Sequence, residues 1–139
     1  MTIPDKRKLM ERLSKKLGCT LIPIKRKQIM YEGLRNGERV VVCTPSSKIH
    51  VNGNGWFDLT TIQVAILDDA NTALLAVRLE GNRVYIINFK KLRKLMTSNI
   101  TLNNYAVGDH WKLFVWENHI QVQGNDQKYQ VSPQIIKAS

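Results

Sequence analysis

Cations are the residues of this sequence best placed to do chemistry. Lys8, Arg12, Lys15 and Lys16 recur within one short segment, and Lys25, Arg26 and Lys27 follow as a run. Lys90, Lys91, Arg93 and Lys94 make a third cluster, and Lys48 stands by itself after Ser46-Ser47. Clustered Lys and Arg side chains bind phosphates, and each contact releases a counterion from a nucleic-acid backbone. A solvated basic face is the competing reading for each cluster. Trp56 follows the glycine-rich turn Asn52-Gly53-Asn54-Gly55, where its ring can stack on a base or close the core. No recognition-helix motif, zinc finger or RNA-binding aromatic signature is visible, so backbone or shape recognition is expected.

Other reactive side chains are sparse. His50, His110 and His119 are scattered and no pair has a ligand spacing, so no metal site is expected from them. Cys43 lies in an apolar run and reads as a small buried core residue. With only Cys19 besides, the sequence argues against a disulfide scaffold or a four-cysteine zinc site, and a reducing compartment, the cytoplasm, is expected.

The 139 residues match one ordinary domain, and 43% hydrophobic content suffices for a core. No apolar run approaches the roughly 20 residues of a membrane-spanning helix, and the opening MTIPDKRKLM lacks the apolar stretch of a secretion signal. Twenty-one Lys and Arg stand against 11 Asp and Glu, giving a formal charge of +10. Residues 1–50 carry +8 of it, residues 51–100 carry +2 and residues 101–139 are neutral. That gradient implies one electropositive face.

The elements that must position these residues follow from periodicity. Leu9, Met10, Leu13 and Leu17 make a helical stripe over residues 5–17, with Lys8, Arg12, Lys15 and Lys16 on another face and Gly18 as the stop. Residues 19–24 read as a short strand that Pro23 confines to an edge. Residues 25–35 carry no clear pattern. Asn36-Gly37 marks a hairpin turn into the strand 38–44, whose continuous apolar run implies burial on both faces and which Pro45-Ser46-Ser47 ends. Residues 48–51 extend or re-enter a strand. A second helix is expected to begin at Asp58 as N-cap, burying Ile62, Ala65 and Ile66 and closing at residues 68–71. Strands over 72–79 and 84–89 flank the turn Gly81-Asn82. Asn88 is expected to cap a helix over 89–96 that buries Leu92, Leu95 and Met96. WKLFVW, HIQVQ and QKYQV then read as an antiparallel meander, with Trp111 and Trp116 on opposite faces.

Asn36-Gly37 with Arg39-Val40-Val41-Val42, Ser46-Ser47-Lys48, a helix containing Gln63 and the strand Leu75-Ala76-Val77-Arg78-Leu79 form an ordered set. Over roughly residues 5–95 this set resembles the restriction-endonuclease-like superfamily, most closely the archaeal Holliday junction resolvases. The resemblance implies an α/β fold: a central mixed sheet flanked by helices in residues 1–97. Outside the resemblance, residues 98–139 read as a C-terminal β-rich extension, an antiparallel meander, packed on the same domain. The resemblance also implies a homodimer. In that family a first-helix glutamate, a strand aspartate and a Glu-x-Lys pair hold Mg²⁺ and a lysine near the attacking water. Glu11 matches the helix glutamate, whereas the aspartate falls near Met30 and the Glu-x-Lys pair on Cys43-Thr44-Pro45. Glu11, Glu32, Glu38, Asp58 and Lys48 are the remaining candidates for a relocated catalytic site. Glu11 equally suits an ion pair with Lys8, Arg12 or Lys15, and Asp58 a helix cap.

Three functions are thus expected, in order. The first is a nucleic-acid-binding protein, DNA before RNA, on a degenerate nuclease fold and needing no cofactor. The second is an Mg²⁺-dependent structure-selective endonuclease with relocated ligands. The third is an interaction module or inhibitor docking on an acidic partner. No membrane partner is expected.

Overall fold

The computed structural model describes residues 2–106 and 108–136; the last three residues of the expected C-terminal extension lie outside the described residues. Helix α1 spans Lys6–Leu17, with Asp5 as N-cap accepting a hydrogen bond from the Lys8 amide and Gly18 as left-handed C-cap at φ 72°. Leu9, Met10 and Leu13 are its buried stripe. Strands β1 (Ile22–Pro23), β2 (Met30–Arg35) and β3 (Glu38–Cys43) follow. Asn36 and Gly37 both adopt positive φ, 53° and 77°, as a type I′ hairpin between β2 and β3 demands.

After β3 the chain makes β4 (Ser46–Ser47), β5 (Gly55–Thr60) and helix α2 (Thr61–Asp69). Strands β6 (Thr72–Leu79) and β7 (Arg83–Asn88), helix α3 (Phe89–Leu92) and a 3₁₀ turn (Arg93–Leu95) come next. A second 3₁₀ turn covers Ser98–Ile100. The remaining strands are β8 (Leu102–Asn104), β9 (Gly108–Trp116), β10 (His119–Val122), β11 (Lys128–Gln130) and β12 (Gln134–Ile135).

Among the described residues, seven strands form a mixed sheet in the order β1-β2-β3-β6-β7-β12, with β4 also on β6. Strand β6 runs parallel to β3 and β4, and the other neighbours are antiparallel. Residues 40–43 of β3 and 46–47 of β4 pair with successive stretches of β6, so Thr44-Pro45 interrupts a strand that then resumes. The second sheet is antiparallel, β11-β10-β9-β5 with β8 on β9. The fold is therefore α/β, a mixed sheet with helices plus a set of antiparallel strands. The meander expected over β9, β10 and β11 is present, and β5 extends it.

The burial of β3 follows its sequence. Val40 and Val42 face α1 in one cluster with Leu9, Met10, Leu13 and Ala76. Val41 and Cys43 face the other way, into the larger core shared with α2, α3 and the second sheet. The first sheet thus carries α1 on one face and α2 and the second sheet on the other.

Several expectations need correction. Residues 30–35, which lack a clear pattern, form β2; Gly33 fits there because a Cβ would stand 2.5 Å from the Thr20 carbonyl oxygen. The strand expected near 48–51 lies at 55–60 instead. Asp58 is inside that strand and is not a cap. Thr60 caps α2 in a capping box with Gln63, each side chain bonding the other's backbone amide. The shifted start turns Val64 and Leu67 inward and leaves Ile62 62% exposed and Ala65 exposed. The last helix stops at Leu92, and Asn88 holds the N-cap position without a side-chain hydrogen bond. The two tryptophans of β9 do face opposite ways: Trp111 is buried, its Nε1 donating to the Thr97 carbonyl, and Trp116 is half-buried on the outer face.

Candidate nucleic-acid interface

The start of α1 and the β1–β2 connection meet in a cleft of about 950 Å³. Its lining includes Lys6, Arg7 and Lys8 from the first turn of the helix and Lys25, Arg26 and Lys27 from the connection. The connection is built tightly. Lys27 donates its amide to the Ile24 carbonyl, Met30 to the Lys27 carbonyl and Ile24 to the Met30 carbonyl. Arg26 closes the turn in the left-handed region at φ 65°, an uncommon conformation outside glycine that surrounding bonds must hold. Lys6 Nζ donates to the Gln28 carbonyl at 2.7 Å and ties the turn to α1.

Cations outnumber anions in this cleft, six to two. A helix N-terminus carries partial positive charge, and each cation there costs roughly 0.3–1 kcal/mol. The first turn of α1 has no acidic residue to offset Lys6, Arg7 and Lys8. Among the described residues, none of the six cleft cations forms an ion pair; the pairs present are Arg39 with Glu32 and Asp69, Arg93 with Asp68, and His110 with Asp58. Asp5 and Glu11 also line the cleft, but Asp5 is committed to the Lys8 amide. An anion in the cleft is attracted by the six cations and the helix end, against the repulsion of Asp5 and Glu11.

Behind the cleft, Arg78 fastens the chain entering α1 to the end of β3. Its guanidinium donates to Thr44 Oγ1 (2.9 Å), the Thr44 carbonyl (2.8 Å) and the Pro4 carbonyl (3.3 Å). Burial pulls its pKa below the ordinary value, and Tyr31, Asp5 and Cys43 pull the other way. Cys43 is fully buried, and that burial pushes its thiol up to about 12, so it is no nucleophile.

Lys8 and the run Lys25, Arg26, Lys27 are therefore brought together as one surface. Arg12 and Lys16 separate from them and rim a groove with Leu74 and Ile86 on the side of α1, while Lys15 lines both that groove and a hollow shared with Arg7 and Glu11. Lys90 and Arg93 are tethered to the end of α2. Lys90 Nζ donates to the Asp68 carbonyl, while Arg93 pairs with the Asp68 carboxylate at 3.1 Å and lies 5.2 Å over the Trp111 ring. Lys91 and Lys94 are exposed beside them, and Lys48 is exposed after β4. Trp56 sits on the outward face of the second sheet, 38% exposed. Lys6, Arg7 and Arg78 were not singled out from the sequence. The unbroken stretch Asp5-Lys6-Arg7-Lys8, with the cations just after a capping residue, is the signal that marks the first two.

The acidic candidates do not assemble. Glu11 is on α1, on one side of the first sheet. Glu32 is on the other side, bonded through Arg39 toward Asp69 at the end of α2. Glu38 is exposed beside the hairpin turn, and Asp58 belongs to the second sheet, where its Oδ1 lies 3.9 Å from His110 Nε2. Among the described residues, no group of three or more His, Cys, Asp or Glu side chains is arranged to hold a metal ion. Met30 and Cys43, where the family resemblance would put ligands, pair directly across β2 and β3 and are wholly buried in the apolar core.

No helix among the described residues is long and apolar enough to cross a membrane. Comparison with protein-family models, curated proteins and solved structures finds no match to the chain.

Proposed function

We propose that this protein binds nucleic acid, DNA first, by gripping the phosphate backbone in the cleft between α1 and the β1–β2 connection. The observation that carries the reading is the convergence of Lys6, Arg7, Lys8, Lys25, Arg26 and Lys27, without ion pairs among the described residues, around the N-terminal end of a helix. We further read the core as restriction-endonuclease-like with its metal ligands lost. Its element order supports this: α1, the antiparallel β1-β2-β3, the crossover α2 and the parallel β6, with α1 and α2 on opposite faces. The apolar pair Met30 and Cys43 supports the loss.

The test uses a labelled four-way junction, a matched duplex and a single strand, each with EDTA, Mg²⁺ or Mn²⁺, on native and denaturing gels. The expected result is a mobility shift without cleavage, weakened at least tenfold when Lys8, Lys25, Arg26 and Lys27 are all replaced by alanine. Binding unchanged in that variant defeats the cleft reading. Metal-dependent nicking that Glu11→Gln or Asp58→Asn abolishes defeats the degenerate-nuclease reading and favours the endonuclease alternative.

A further inference from the structure

The second sheet has two faces of different chemistry. Leu59, Leu113, Val115, Ile120 and Val122 point into the core, whereas Leu102 of β8 stands opposite His110 on the other side. The outward face carries aromatic rings, amides and cations, with one carboxylate, Asp58, opposite Lys112 and 3.9 Å from His110. Across the strands, Trp56 stands opposite Phe114, Phe114 opposite Gln121, and Gln121 opposite Lys128. One row further along, Trp116 stands opposite His119.

The rings are already arranged for stacking. Trp116 and His119 stack at 6.1 Å between centroids and 22° between planes, and His50 stacks on Trp56 at 5.9 Å and 25°. The Lys112 ammonium lies 4.1 Å from the Trp56 ring centroid and 5.9 Å from that of Phe114, a cation held at the centre of the face. Phe114 and Trp116 are two strand residues apart, about 7 Å, enough for a flat base on each ring. Burial and the neighbouring Lys128 lower the His119 pKa, which favours the neutral imidazole.

We propose that this outward face binds unpaired nucleotides, with bases stacked on Phe114 and Trp116, Trp56 holding Lys112 in place, and the backbone drawn by Lys112 and Lys128. Protein-docking patches share the enrichment in Trp and Phe but deplete lysine at their centre, so the cation is the feature that discriminates. Here Lys112 is in the middle, over the Trp56 ring. Aromatic rings with cations and amides match bases and phosphates. The inference rests on the nucleic-acid reading but not on the basic cleft, because the first sheet and the core separate this face from α1.

The experiment titrates the full chain with an eight-nucleotide oligothymidylate and, separately, with a matched duplex. Tryptophan fluorescence and anisotropy of labelled nucleic acid are the readouts. The oligonucleotide is expected to quench fluorescence. Phe114→Ala and Trp116→Ala are each expected to weaken its binding about tenfold, the size of one base–aromatic stack, while duplex affinity stays within twofold. Trp116→Phe keeps a ring and should retain binding within threefold, which separates stacking from misfolding. Duplex binding with no oligonucleotide binding overturns this inference and leaves the cleft reading standing. So does oligonucleotide binding indifferent to both alanine variants, or self-association of the chain through this face in place of binding. Oligonucleotide binding lost with Trp116→Ala, alongside no duplex binding, supports this inference and defeats the cleft. Binding of neither ligand defeats both.

Discussion

Arg78→Met removes a half-buried cation while keeping most of its stem. The wild-type guanidinium makes two short bonds, 2.9 and 2.8 Å, to the hydroxyl and carbonyl of Thr44, and a longer one, 3.3 Å, to Pro4. Bonds from a charged donor contribute roughly 1.5–3 kcal/mol each, so the two short ones supply about 3–6 kcal/mol. Relief of the arginine's own desolvation returns part of that. Thr44 Oγ1 keeps its bond to the Ala76 carbonyl at 2.7 Å, so the hydroxyl is not orphaned. The expected net loss is about 3 kcal/mol. With a urea slope of about 1.5 kcal/mol/M, the midpoint should fall by about 2 M in equilibrium unfolding. Arg78→Lys, which lacks the fork, should recover less than half of the loss. A midpoint within about 0.5 M of wild type for Arg78→Met would refute the claim that this fork fastens the start of α1 to the end of β3.

Gly55→Ala places a Cβ against Leu79 Cδ1 and 2.9 Å from Ser47 Oγ, where the two sheets touch. Overpacking there should cost about 1–3 kcal/mol, read as a lower urea midpoint. Both cysteines are buried, and Cys43 titrates only near pH 12. A thiol reagent at pH 8 should therefore leave native Cys43 unmodified and label both thiols after unfolding. His119 has its pKa lowered from the ordinary 6.5. The unfolded chain then binds a proton more readily than the folded one below pH 6.5, so stability falls as pH drops through that value. His119→Gln should flatten that part of the stability–pH curve, measured by thermal unfolding between pH 5 and 8.

Elements with local signatures were legible. The stripe of α1 and its Gly18 stop, the paired positive φ of Asn36-Gly37 and the continuous apolar run of β3 all carry short-range information. Strand β2 was not legible, because Gly33 answers to the Thr20 carbonyl, a neighbour across the sheet edge. Strand β5 hid behind Asp58-Leu59-Thr60, which mimics a helix start. The Thr60–Gln63 capping-box spacing was the readable clue that the helix begins later. The basic clusters were visible, but their grouping was not. Lys25–Lys27 joins Lys8 only through the folded-back β1–β2 connection, while Arg12 and Lys16 turn away. The aromatic face was hidden most deeply, since it exists only once β5 pairs with β9, some fifty residues along the chain.

The most direct test of the central claim is the salt dependence of duplex affinity for wild type and for Lys25→Ala/Arg26→Ala/Lys27→Ala. Each phosphate contact contributes about −0.9 to the slope of log K against log salt. Six cleft cations predict a wild-type slope of about −5 if all engage, and the triple variant should be shallower by about 2.7. A variant with the wild-type slope would contradict the claim that this cleft holds the backbone.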